Sequence, residues 1–245
     1  MTYCVAISLN KGLVFCSDSR TNAGIDQVSI YSKMHSFGRD GERQFVLLSA
    51  GNLATTQAVV ARVQRDIDDS AKTNLNTLKH MNEAAEYVGR INHEEFAKHI
   101  EAGGQSGFTP DATFIVGGQI AGERPAIFLV YPQGNFITTS DSTLFLQIGE
   151  NKYGKPILDR VITKNTPLDE AAKCALVSMD STMQSNITVG PPVELLVLPK
   201  DELTVRKRLK FEADSEYFVA LRHGWRDRIV EAFRSLPDVD WNAET

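Results

Sequence analysis

The feature that most constrains this chain is how early it commits to β-structure. Tyr3-Cys4-Val5-Ala6-Ile7-Ser8-Leu9 is an apolar, β-prone run, Asn10-Lys11-Gly12 supplies turn residues, and Leu13-Val14-Phe15-Cys16 resumes the run. A hairpin starting here ties down residues that in most chains lie in a loose tail. A second apolar run, 45–50, ends at Gly51, after which Leu53, Val60, Val63 and Ile67 recur at helical spacing. A longer helical stretch is expected over 75–99, with Leu75, Leu78, Ala85, Val88 and Phe96 as its stripe, broken by the glycines of 101–107. Strands are expected over 111–118, 126–131 and 136–139, helices over 154–162 and 168–183, and a strand over 193–198. A last strand around 217–221 and a helix over 225–233 complete the expectation. Clustered strands and clustered helices, rather than strict alternation, predict an α+β fold with antiparallel sheets between outer helices. No repeat, low-complexity tract or Pro-rich linker divides the chain, so one domain over 1–245 is expected.

Composition narrows the function. With 245 residues, 42% hydrophobic and 8% aromatic, the chain suits a packed core. A net charge of -5 argues against a nucleic-acid or anionic-membrane binder. The one basic run, Arg206-Lys207-Arg208-Leu209-Lys210, has acidic residues on both sides and reads as a solvated strand or turn edge. Three cysteines, Cys4, Cys16 and Cys174, without a CxxC spacing, fit buried free thiols in a reducing compartment. No apolar run approaches the ~20 residues that span a bilayer and no signal-peptide pattern opens the chain, so the expected location is the cytoplasm. The five histidines show no metal-ligand spacing, and neither a phosphate loop nor a nucleophile elbow is present, so no metal or cofactor is expected.

The N-terminus itself carries chemistry. Removal of Met1, which the small second residue permits, leaves Thr2 with a hydroxyl and a free α-amine. An α-amine of pKa roughly 7.7–8.0 is close enough to neutrality to act as general base toward the hydroxyl of its own residue. A hairpin returns its second strand to the start of its first, which places Asp18 near Thr2. Lys33, if paired with Asp18 beneath Thr2, would favour the alkoxide and lower the proton affinity of the amine.

The order Thr2, then Asp18 and Arg20 in SDSR, then Lys33 in YSKMH, then Ser49-Ala50-Gly51 opening a helix, resembles the N-terminal-nucleophile peptidases of the proteasome β-subunit and HslV type. More closely, MTYCVAISLNKGLVFCSDSRTNAG with IGENKYGKPILDR resembles the bacterial proteasome-related Anbu family, along most of the chain from Thr2 to about Leu198. The resemblance implies a four-layer αββα sandwich and a threonine-type amide or peptide hydrolase. It assigns Thr2 as nucleophile, Asp18 and Lys33 as its activating pair, and Gly51 as the backbone donor to the oxyanion. Thr21, Tyr31, Ser49 and Leu53 fall where such enzymes line the pocket for the residue before the cleaved bond. Asp180 and the Ser185-Asn186 pair match the segment that returns to the site after a long helix. Where proteasome β-subunits have a Ser near the α-amine, this chain has Glu150, a carboxylate able either to hold the amine protonated or to relay protons. The interval from Asp18 to Lys33 is one residue shorter than in those subunits.

The resemblance also implies self-assembly into a closed ring or an open helical stack, through the outer helices of 53–99, with peptide or protein as substrate. Maturation is expected to need only the loss of Met1. With no ATP-binding loop in the chain, unfolding of a protein substrate would fall to a separate ATP-dependent partner. Two other readings stay open at this level: a catalytically weak scaffold, and a hydrolase of a special small amide or peptide conjugate.

Overall fold

A computed structural model of the chain describes residues 1–22, 28–103, 109–205 and 208–239. The first half runs through β1 (Tyr3–Leu9), β2 (Gly12–Ser17), β3 (Arg20–Asn22), β4 (Val28–Ile30), β5 (Met34–Arg39), β6 (Arg43–Gly51), α1 (Leu53–Asp68) and α2 (Met81–Gly103). The second half adds β7 (Ala112–Ile120), β8 (Ala126–Val130), β9 (Phe136–Thr138), β10 (Phe145–Gly149), α3 (Lys155–Val161), α4 (Leu168–Ser185), β11 (Val193–Pro199), β12 (Arg208–Phe211) and α5 (Glu216–Arg234). They form two five-stranded sheets, ordered β10-β1-β2-β11-β12 and β5-β6-β7-β8-β9, and a small β3-β4 ribbon. The pairings are antiparallel.

The alternation of side chains explains the layers. In β1 and β2, Val5, Ile7, Val14 and Cys16 face a core shared with Leu158, Leu176 and Met179 of α3 and α4. Their neighbours Cys4, Ala6, Leu13 and Phe15 face a second core shared with Val46, Leu48 and Ile115 of the other sheet. On that sheet, Phe45, Leu47, Phe114 and Val116 turn outward to Val59, Val63 and Val88 of α1 and α2. Both faces of the central strands are covered, which is why their sequences read as continuous apolar runs instead of alternating ones. The result is the α+β, four-layer αββα sandwich expected from the sequence.

The chain departs from the sequence reading in three places. Residues 217–221, read as a strand, are the opening turn of α5, where Phe218 is buried and Leu221, three residues on, packs on the same core. The segment's Tyr, Phe and Val composition imitates a strand, but the burial follows helical spacing. The second helix starts at Met81 and not near Leu75, because Asn74 closes a turn by accepting the Asn76 N–H, so Leu75 and Leu78 enter the core from loops. Edge strand β10 and the β3-β4 ribbon were not anticipated; the basic run, read as a solvated strand or turn edge, supplies the edge strand β12, while Arg206 and Lys207 lie outside the described residues, as do 104–108. Cys4, Cys16 and Cys174 are free and buried. Among the described residues no helix is long and apolar enough to cross a membrane.

Candidate active site

Strand β2 ends at Ser17 and delivers Asp18 beneath the start of β1, as hairpin geometry requires. The Asp18 carboxylate is fully buried. Its Oδ1 accepts the Tyr3 N–H at 3.0 Å and the Lys33 Nζ at 2.7 Å, and its Oδ2 accepts the Gly190 N–H at 3.2 Å. Asp18 N–H in turn donates to the Tyr3 carbonyl at 3.1 Å. Burial pushes the Asp18 carboxyl above the usual carboxylate range, and the Lys33 ammonium with the two backbone donors pulls against it. Lys33, itself buried, gives a second hydrogen bond to the Arg20 carbonyl at 2.6 Å. An ammonium has three donors, so one remains beyond these two bonds.

Thr2 lies directly before the residue that Asp18 holds. Its carbonyl accepts the Glu150 N–H at 2.6 Å, and β10 runs beside it with Gly149 opposite Tyr3. Gly149 has φ +81°, and a Cβ there would stand 2.0 Å from the Thr2 carbonyl oxygen, so only glycine lets β10 come this close. Burial and then the Lys33 charge lower the N-terminal amine below its ordinary value, with Asp18 opposing. That amine belongs to Met1; with Met1 attached, the Thr2 nitrogen is a peptide nitrogen without basicity.

Gly51 ends β6 with φ +110°, and a Cβ would meet the Asp111 carbonyl at 2.2 Å. Asn52 follows as the N-cap of α1, its side chain accepting from the N–H groups of Ala54 and Thr55. The strand therefore turns sharply into a helix at Gly51, which leaves its backbone on the wall of a cleft of about 940 Å³. Thr2, Lys33 and Gly51 line this cleft together, with Met1 and with the expected pocket residues Thr21, Tyr31, Ser49 and Leu53. One face of α1 extends the wall through Thr56, Gln57, Val60 and Gln64.

The remaining sequence-predicted residues sit differently. The Glu150 carboxylate accepts the Asn186 Nδ2 at 3.1 Å and the Lys152 N–H, so it joins the β10 end to the segment after α4. Asp180 is buried on α4 and pairs with Arg222 of α5 at 2.7 Å. Ser185, the last residue of α4, is exposed. Sequence reasoning missed Gly190, whose N–H reaches Asp18, and the group Ser32, Glu194 and Arg208 on the cleft wall. No local pattern marks them, because their partners lie in distant elements.

The chain gives no match to a family model and none to a curated protein. Solved structures are similar over nearly its whole length. Anbu (ancestral β-subunit) from Yersinia bercovieri is 44% identical, covering 98% of this chain and 100% of that one, with a TM-score of 0.92. The helical assembly of the Anbu complex from Pseudomonas aeruginosa is 44% identical over 99% and 100%, with a TM-score of 0.93. Anbu from Hyphomicrobium sp. strain MC1 is 46% identical over 97% and 99%, with a TM-score of 0.88. Likeness of this extent in both sequence and backbone means that the chain belongs to the Anbu family of bacterial proteasome-related proteins.

Proposed function

We propose that this protein is a threonine-type amide or peptide hydrolase, working as one domain of a self-assembled, proteasome-like particle once Met1 has been removed. The observation that carries the reading is the single carboxylate of Asp18, which holds both the Lys33 ammonium and the N–H of the residue after Thr2. Nucleophile and cation are thus referred to one buried, rigid group at the cleft.

In the proposed reaction, Thr2 Oγ attacks the carbonyl carbon of an amide while the free α-amine of Thr2 takes the hydroxyl proton. The Gly51 N–H stabilises the resulting oxyanion; loss of a donor of this kind raises the barrier by about 2.7–4 kcal/mol. The amine then passes its proton to the leaving nitrogen, the C–N bond breaks, and an ester to Thr2 remains. Water, deprotonated by the same amine, hydrolyses the ester and restores Thr2. Lys33 supports the developing charge on Oγ, and a positive charge beside the freed amine of Thr2 favours its free-base form. Glu150 acts chiefly through its backbone, which fixes the Thr2 carbonyl, with its carboxylate engaged by Asn186.

Assembly is read from a relative and from the surface. The Pseudomonas aeruginosa protein is described as a helical assembly. On this chain Ile229, Phe233 and Leu236 form an exposed apolar stripe along and just past α5, at spacings that share one helix face. A second copy of the chain is the occupant proposed for it. Replacement of Thr2 tests the catalytic reading: Thr2→Ala should abolish hydrolysis across a panel of peptide and small-amide substrates while the particle still forms. Turnover that survives in this variant contradicts the assignment of the nucleophile.

A further inference from the structure

Lys33 is held at its tip by Asp18, but what holds the backbone that carries it is a separate matter. Ser32 and Lys33 lie between the β3-β4 ribbon and β5, and Met34 opens β5 opposite Leu48, with the Lys33 carbonyl accepting the Ser49 N–H at 3.0 Å from β6. The residues on either side of Lys33 are gripped in addition from the opposite sheet. The Arg208 Nη2 donates to Ser32 Oγ and to the Met34 carbonyl, each at 2.7 Å. Ser32 Oγ also accepts the Met34 N–H at 3.2 Å and gives its hydrogen to Glu194 Oε2 at 2.8 Å. Arg208 and Glu194 close the ring with an ion pair at 2.7 Å, and Glu194 is buried. Both neighbours of Lys33 are therefore fastened to one charge-assisted network built on β11 and β12.

We propose that Glu194 and Arg208 are positioning residues for Lys33. They fix the backbone on either side of it so that its ammonium stays on Asp18 and the Arg20 carbonyl. Neither needs to touch a substrate for this. The ion pair neutralises itself, so its effect on the site is geometric: the network sets where the Lys33 charge stands relative to the chain's N-terminal amine. A purely structural role, tying the β12 edge to β5, would stabilise the fold without influencing either group. The proposal gives the Lys33 of the catalytic reading its support, yet it can be tested without any turnover.

The test uses the full-length chain, the double variant Glu194→Gln/Arg208→Gln, which keeps the net charge, and Arg208→Lys, which keeps the cation but loses the fork. Two quantities are read by mass spectrometry: acylation of Lys33 by an amine-reactive ester, and acylation of the N-terminal amine as a function of pH. Burial and then the Lys33 charge lower the Met1 amine, and the Asp18 charge raises it. In the double variant, Lys33 acylation should rise about fivefold through easier local opening, and the midpoint for the N-terminal amine should move upward as the Lys33 charge moves off. Arg208→Lys should fall between the double variant and the native chain. A double variant that melts at a lower temperature but leaves both acylation readouts unchanged overturns the proposal and makes the network structural only. Failure of the catalytic reading shows separately, as absence of labelling at Thr2 in the native chain.

Discussion

Asp18 and Lys33 are a buried ion pair, and the energetics of such pairs make them testable one residue at a time. Removing only the cation strands a fully buried carboxylate, which typically costs about 3–5 kcal/mol, whereas removing both charges often costs little. Lys33→Met should therefore lower stability in chemical denaturation by several times more than Lys33→Met combined with Asp18→Asn. Equal losses would mean that the pair does not govern the site's stability. His35, on the cleft wall, provides a pH signature. Burial and then the Arg208 charge hold its imidazole below the usual value of 6.5, with Glu194 opposing. Below pH 6.5 the unfolded chain takes up this proton before the folded one does, so the native state loses stability as pH falls from there toward the depressed folded value. The melting temperature should fall more steeply between pH 6.5 and 5 in the native chain than in His35→Gln; superimposable curves would remove His35 from the account.

At the scale of elements, the junction of β6 with α1 sets where the Gly51 backbone stands on the cleft wall, and so whether it can serve the proposed oxyanion. Asn52→Ala removes the side chain that accepts two N–H groups of the first helical turn and should cost about 1 kcal/mol in thermal or denaturant unfolding. A loss indistinguishable from zero would mean that water replaces the cap without penalty. The same junction was legible in the sequence, since an apolar run, a glycine and a helical stripe stand in direct succession. The N-terminal hairpin was legible too, and hairpin geometry alone brought Asp18 under Thr2. Lys33 became legible through family resemblance, because the loop before it leaves its approach open. Glu194, Arg208 and Gly190 were not legible at all: each meets the site from an element far along the chain, and nothing in its neighbours records that contact. The misread start of α5 is a different failure, in which a single helical turn of Tyr, Phe and Val carries too few positions for its period to show.

At the scale of the whole molecule, α5 projects an apolar stripe while α1 to α4 have their apolar faces in the two helix–sheet cores. A self-assembling chain gives that stripe a partner, and a charge in its middle should remove it. Phe233→Asp is expected to shift sedimentation velocity from a large particle to small species with the melting temperature nearly unchanged, since Phe233 is 73% exposed in the single chain. A particle of unaltered size would place the contacts elsewhere, on the outer helices α1 and α2. The central claim, however, concerns Thr2 as a proposed first residue, and one measurement addresses both its hydroxyl and its amine. An epoxyketone that closes a ring with an N-terminal threonine needs both groups free. Intact-mass analysis should show a chain without Met1 that gains one inhibitor, with the adduct mapped to Thr2 and absent from Thr2→Ala. A chain that retains Met1, or an adduct that persists in Thr2→Ala, would contradict the account.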